Sequence, residues 1–241
     1  MTAARRFVVL ALPRTGSSRL VEALSQHPSV VANGEVLNPR QAEYAWAHRS
    51  GRSTGYLVWL GFTHPGPMNL SKRDIRAIGF KVLDEHVREG AVHAAALDIL
   101  AGDPAVTIVH LRRHPLESLR SEVQARATRR WHQRRTGSGP PPRVTISPER
   151  CQEYLVRARV FAERVVERFR DHPRLEITYE QMETSMDQVL HRVHDRLGVP
   201  RRELGPEILV KQEARPLEQS VENYRELKAH FRRTPFASWF R

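Results

Sequence analysis

Two short segments of this chain carry residue types that bind oxyanions. The first is Pro13-Arg14-Thr15-Gly16-Ser17-Ser18, which follows the apolar run Phe7–Leu12 and precedes a helical pattern bearing Leu20, Ala23 and Leu24. A buried strand, a turn and a helix start bring several backbone N–H groups to one point, and the helix dipole adds to their attraction for negative charge. Gly16 lets the chain bend closely around an anion. Thr15, Ser17 and Ser18 add hydroxyl donors, and Arg14 adds a charged fork suited to phosphate or sulfate oxygens. The segment lacks the first glycine and the lysine of the Walker pattern, which disfavours an ATPase or GTPase. Taken alone, it is equally well read as a strand-to-helix turn capped by Ser or Thr.

The second segment follows the apolar run Val106–Leu111 and reads Arg112-Arg113-His114-Pro115, with Ser121 eight positions after Arg113. Together the two segments resemble the motifs of the sulfotransferases that use 3′-phosphoadenosine-5′-phosphosulfate (PAPS). In that family the first motif reads roughly P-[KR]-[ST]-G-[ST]-[ST] after strand one. The second is an Arg after a later strand, with Pro two positions on and Ser eight positions on. The resemblance implies that Arg113 and Ser121 hold the 3′-phosphate of the nucleotide. The spacing makes physical sense, because Ser121 lies about two helical turns beyond Arg113 at ~1.5 Å per residue. Both then reach one phosphate at the carboxyl edge of a sheet, where α/β ligands bind. Arg112 is a rival for the same role.

Further segments resemble the bacterial carbohydrate-type members, such as the nodulation-factor and trehalose sulfotransferases. These are Gln26-His27-Pro28 with Gly34-Glu35, then Gly79-Phe80-Lys81, Ile177-Thr178-Tyr179-Glu180, Leu197-Gly198-Val199-Pro200 and Asn223-Tyr224-Arg225-Glu226-Leu227. The likeness runs over most of the chain, although 241 residues is short for the family. It implies transfer of a sulfuryl group from PAPS to an acceptor hydroxyl, with 3′-phosphoadenosine-5′-phosphate (PAP) as product and no metal. Catalysis of this kind is largely positioning and charge stabilisation. Arg14 and the loop N–H groups would stabilise charge on the bridging and 5′-phosphate oxygens. Glu35 is the candidate general base: it follows a short strand and an Asn-Gly turn, and a Glu at the matching Gly-Glu position has this role in the trehalose-type relatives. His48, His64, His86 and His110 are the substitutes. Lys81 is a candidate contact to the sulfuryl group or acceptor, and Trp131 a stacking surface for a sugar. Lys211 and Arg215 are candidates to close over the nucleotide. His191 and His194 have i,i+3 spacing without an acidic or Cys partner and read as a surface pair, not a metal site.

The elements that must position these residues alternate between strand and helix. Strands are expected at Phe7–Leu12, Val30–Ala32, Ile78–Leu83, Val106–Leu111 and Leu175–Tyr179, and helices at Val87–Leu100, from Pro115, at Cys151–Arg170 and at Met186–Leu197. Residues 36–70 read as irregular with short helices. This pattern predicts an α/β, P-loop-like three-layer fold with a central parallel sheet flanked by helices. One domain over 1–241 is expected, with a mobile acceptor-side loop at 129–147 around Gly137–Pro142. The aromatic tail Phe231, Phe236, Trp239 and Phe240 suits either core packing or a homodimer interface.

Composition narrows the partners. With 39 Lys+Arg against 27 Asp+Glu the net charge is +12, which favours anionic ligands. Aromatics are only 7% and no nucleic-acid motif is found, so a nucleic-acid-binding protein is the weaker rival. A P-loop small-molecule kinase is the other, with Asp84 as the acid to hold Mg²⁺. The single Cys151 excludes an intramolecular disulfide, and no run approaches the ~18 apolar residues of a membrane span. A cytoplasmic enzyme acting on a small molecule or glycan is the expectation.

Overall fold

A computed structural model of the chain describes residues 4–66, 69–131, 141–205 and 213–240. The chain divides into two compact units, residues 1–112 with 164–206, and residues 113–163 with 207–241.

The first unit is built on five parallel strands, β1 (Arg5–Ala11), β2 (Val30–Asn33), β3 (Ala77–Leu83), β4 (Thr107–Arg112) and β5 (Arg174–Thr178), in the order β2-β3-β1-β4-β5. All five expected strands are present. Phe7, Val8, Val9, Leu10 and Ala11 are fully buried, as a continuous apolar run in the middle of a parallel sheet should be. Gly79 in β3 has a steric reason: a Cβ there would lie 2.1 Å from the carbonyl oxygen of Phe7 on β1.

Around this sheet stand α1 (Ser17–Ser25), α2 (Ala45–Arg49), α3 (Thr54–Thr63), α4 (Asp84–Val87) and α5 (Ala96–Ala101). The helices α6 (Pro115–Thr128) and α7 (Pro148–Arg168) follow, then α8 (Tyr179–Thr184) and α9 (Met186–Leu197). Successive strand residues face opposite sides. Phe80 accordingly meets Gly61 of α3, while Lys81 meets Ser18 of α1. α9 buries Met186, Val189, Leu190, Val193 and Leu197 along one face; the Ser185 side chain caps its start, and left-handed Gly198 (φ 65°) ends it.

The helix expected over Val87–Leu100 is not continuous. α4 ends at Val87, Arg88 is extended, Gly90 is left-handed (φ 77°), and helix resumes only at Ala96. The apolar residues there satisfy a helical period, but the chain spends them on two short turns, leaving Val92 90% exposed. A second correction concerns His194. It is buried, with its ring 4.8 Å from His27, not on the surface. His27 in turn accepts the Ser29 N–H at Nδ1 and donates from Nε2 to the Pro200 carbonyl (2.9 Å). The His27-Pro28 and Val199-Pro200 segments are thus partners in one contact.

The second unit contains α6, the body of α7, α10 (Leu217–Ser220) and α11 (Tyr224–Phe231). Val144 forms a parallel bridge with Val221, and the Asn223 side chain exchanges both hydrogen bonds with the backbone of Ile146. Residues 144–146 of the expected loop are therefore tied down, and residues 132–140 lie outside the described residues. The aromatic tail is core here: Phe231 stacks on Phe240 at 5.3 Å, and Phe231, Phe236 and Phe240 are buried. Cys151 is buried in α7, where burial pushes its thiol up to about 12 and removes it as a nucleophile.

Candidate active site

The Pro13–Ser18 loop leaves the carboxyl end of β1, the middle strand of the sheet. Arg14 (φ 66°) and Gly16 (φ 86°) are both left-handed, with Thr15 between them on the ordinary side. Alternation of this kind turns successive N–H groups toward one concavity suited to an anion. The loop is braced from both sides. The Thr15 hydroxyl donates to the Leu12 carbonyl at 2.8 Å and so braces the loop. Gly16 is pressed against Tyr179, whose ring carbon would lie 2.5 Å from an added Cβ. The Ile177–Glu180 segment thereby contributes to the loop's shape.

At the carboxyl end of β2, Glu35 follows Gly34, and buried Val36 and Leu37 anchor the turn. Two donors bond its carboxylate and a third nitrogen stands nearby. Lys81 Nζ lies 2.8 Å from Oε1, Asn38 Nδ2 donates to Oε2 at 2.7 Å, and His86 Nε2 is 3.6 Å from Oε2. The same Lys81 Nζ donates to Ser18 Oγ at 2.9 Å. Ser18, Lys81 and Glu35 therefore form one continuous chain from the anion loop to the carboxylate. Burial pushes the Glu35 carboxyl up, but the Lys81 ammonium and the bonds from Lys81 and Asn38 outweigh it and hold it below the ordinary range.

The histidines divide by surroundings. His110 is buried on β4 with Nδ1 2.9 Å from a Glu176 oxygen on β5, a cross-strand pair. His64 is exposed beside Trp59. His48 Nε2 donates to the Val36 carbonyl (3.0 Å), and its ring is 5.2 Å from that of His93. His86 is buried behind Glu35, and burial holds its imidazole down at about 4.

In the second unit, Arg113 Nη2 is 3.2 Å from Glu117 Oε2, and its side chain is 8% exposed. Glu117 also receives Arg120, a fully buried arginine that donates to the Arg215 carbonyl and to Ser220 Oγ. Ser121 is buried on the same helix. Arg112, in contrast, ends β4 with its side chain exposed. Arg215 makes a two-pronged pair with Glu213 at 2.9 and 2.6 Å. Burial pushes the Glu213 carboxyl up, yet the Arg215 and Gln124 bonds leave it at about 2. Arg215 is therefore committed to Glu213, and Lys211 lies outside the described residues. Trp131, just past α6, is half exposed. The sequence reading missed Asn38, Glu117, Arg120 and Glu213. The i,i+3 spacing of Glu35 and Asn38, and of Glu117 and Arg120, could have hinted at the first three, and nothing in the sequence marks Glu213.

Comparison with known proteins decides the family. The family model "Sulfotransferase family" matches residues 6–203. The chain is 36% identical over 237 residues to Nodulation protein H of Rhizobium meliloti (strain 1021), covering 97% of this chain and 94% of that protein. The chain belongs to the sulfotransferase family. Nodulation protein H of Rhizobium tropici is 32% identical to this sulfotransferase, covering 97% and 92% of the two chains. A sulfotransferase from Alicyclobacillus acidocaldarius shares the fold, with a TM-score of 0.57 at 16% identity over 96% of this chain and 92% of that one. The kinase and nucleic-acid readings give way to sulfuryl transfer. Among the described residues no helix is long and apolar enough to cross a membrane.

Proposed function

We propose that this sulfotransferase takes its sulfuryl group from PAPS and delivers it to a hydroxyl of a carbohydrate or glycosylated small molecule, acting as one catalytic domain over 1–241. The observation that carries the reading is Lys81, bonded at once to Ser18 of the anion loop and to Glu35. An ammonium and a carboxylate beside the loop support reading Lys81 as a cation for the group in transfer and Glu35 as a base. Left-handed Arg14 and Gly16 in the Pro13–Ser18 loop support an anion such as the phosphosulfate end of the donor at this loop.

PAPS, when bound, supplies an activated sulfur: the acceptor oxygen forms the new O–S bond as the S–O bond to the 5′-phosphate breaks and PAP leaves. Arg14 and the N–H groups of Gly16, Ser17 and Ser18 hold the 5′ end and offset the charge growing on the bridging oxygen. Lys81 Nζ contacts the group in transfer. Glu35 takes the hydroxyl proton on Oε1, the oxygen that Lys81 alone holds. Arg113 and Ser121 take the 3′-phosphate, with Glu117 and Arg120 fixing the Arg113 fork. Lys211 adds a cation to the nucleotide and Trp131 a face for the acceptor sugar. The resemblance to the Nodulation protein H sequences supports the glycan class of acceptor.

The test is transfer of radiolabel from ³⁵S-PAPS to a panel of oligosaccharides, phenols and simple alcohols. Label on saccharides, with stoichiometric PAP, supports the reading. Label confined to phenols replaces the acceptor class, and no label on any member contradicts the proposal.

A further inference from the structure

The Glu35 carboxylate has a third neighbour that the reaction scheme above leaves without a role. His86 lies on α4, immediately after β3, and is buried. Its Nδ1 accepts the Leu83 N–H at 3.4 Å. In a neutral ring with an accepting Nδ1, the proton sits on Nε2. Nε2 is buried, makes no hydrogen bond among the described residues, and faces Glu35 Oε2 at 3.6 Å. That is just beyond bonding distance, and such contacts in ligand-free sites tighten when the substrate arrives.

We propose that His86 is the positioning residue of Glu35, its Nε2–H steering the carboxylate into the orientation from which it takes the acceptor proton. The inference rests on the reading of Glu35 as the base. It also removes His86 from the substitute bases, since an Nε2 that carries a proton has no lone pair to offer.

The surroundings keep the ring neutral. Lys81 from β3 opposes a charge on His86, as do His93 and His48, whose rings lie 5.2 Å apart. Glu35 favours the charge, and Glu85 Oε1 stands 3.9 Å away on the same helix. Burial outweighs both. Asn38 and His86 thus both face Oε2, leaving Oε1 to the side shared with Lys81 and Ser18.

Two substitutions separate positioning from packing. His86→Asn keeps an acceptor for Leu83 and loses the donor, while His86→Gln keeps a donor near the Nε2 position. The readout is the titration midpoint of the Glu35 carboxyl in ¹³C-glutamate-labelled protein, assigned by its absence in Glu35→Gln. Loss of a donor to a carboxylate raises its midpoint, so His86→Asn should move it up by roughly half to one pH unit, and His86→Gln should leave it in place. An unmoved midpoint in His86→Asn, or an equal rise in His86→Gln, overturns the role. Each protein is also titrated with PAP. A wild type that fails to bind PAP overturns the nucleotide reading; bound PAP with an unmoved midpoint overturns the His86 role alone.

Discussion

Glu35 carries the central prediction at the residue scale. Its carboxylate is kept ionised by Lys81 and Asn38 against the pull of burial. Glu35→Gln preserves the shape and leaves an oxygen for Lys81, but cannot take a proton. The expected result is a loss of about 10²- to 10⁴-fold in kcat, the usual range for a lost general base, with PAP affinity unchanged. Steady-state kinetics beside a PAP titration would check both halves; a kcat within a few fold of wild type would pass the base role elsewhere. Glu35 was legible because a short apolar strand followed by Asn-Gly ends at the edge of a sheet. Its holders were not legible together. Lys81 and His86 come from β3 and α4, far along the chain, and only the folded sheet brings them to one carboxylate.

At the element scale, the strands were readable because residues buried on both faces leave a continuous apolar run. The helices around Gly90 were not, since the apolar period survives in a segment whose backbone breaks it. The motif glycines gain a physical meaning from the elements they join. Gly79 lets β3 pass Phe7 of β1, where a methyl would meet a backbone oxygen that cannot move without breaking the ladder. Gly79→Ala is expected to cost about 2–4 kcal/mol in urea unfolding, toward the severe end for overpacking. A cost within 0.5 kcal/mol, the ordinary surface range, would mean that the ladder is looser than its register implies. In the same way, His27 and Pro200 each looked like weak local signals and are one hydrogen bond in the fold.

The whole molecule stores a dependence on acid. Burial lowers His27, His93, His86 and His194, the last two to about 4, so each takes up a proton less readily in the folded chain than in the unfolded one. Below pH 6.5 the unfolded chain binds protons that the folded chain refuses, so stability must fall as the pH drops from 6.5 toward 4. Glu35, Glu176 and Glu213 are lowered as well; as carboxylates they stabilise above their unfolded values and lose that contribution at still lower pH. His86 and His194 each account for about 1–3 kcal/mol by pH 4. The urea midpoint should therefore decline between pH 7 and pH 5, and a flat profile would mean that these rings are already charged or solvated. The excess of arginine pointed to anionic ligands as a class, and only the motif spacing pointed to a particular one.

The most direct test of the account is calorimetric titration with PAP, without metal, on the wild type and on Arg113→Ala. Removing one partner of a buried charged contact costs at least about 2 kcal/mol, or thirtyfold and upward in affinity. Micromolar binding that weakens by that margin in Arg113→Ala is the predicted result. No binding by the wild type, or equal binding by both proteins, would contradict the nucleotide site on which the account depends.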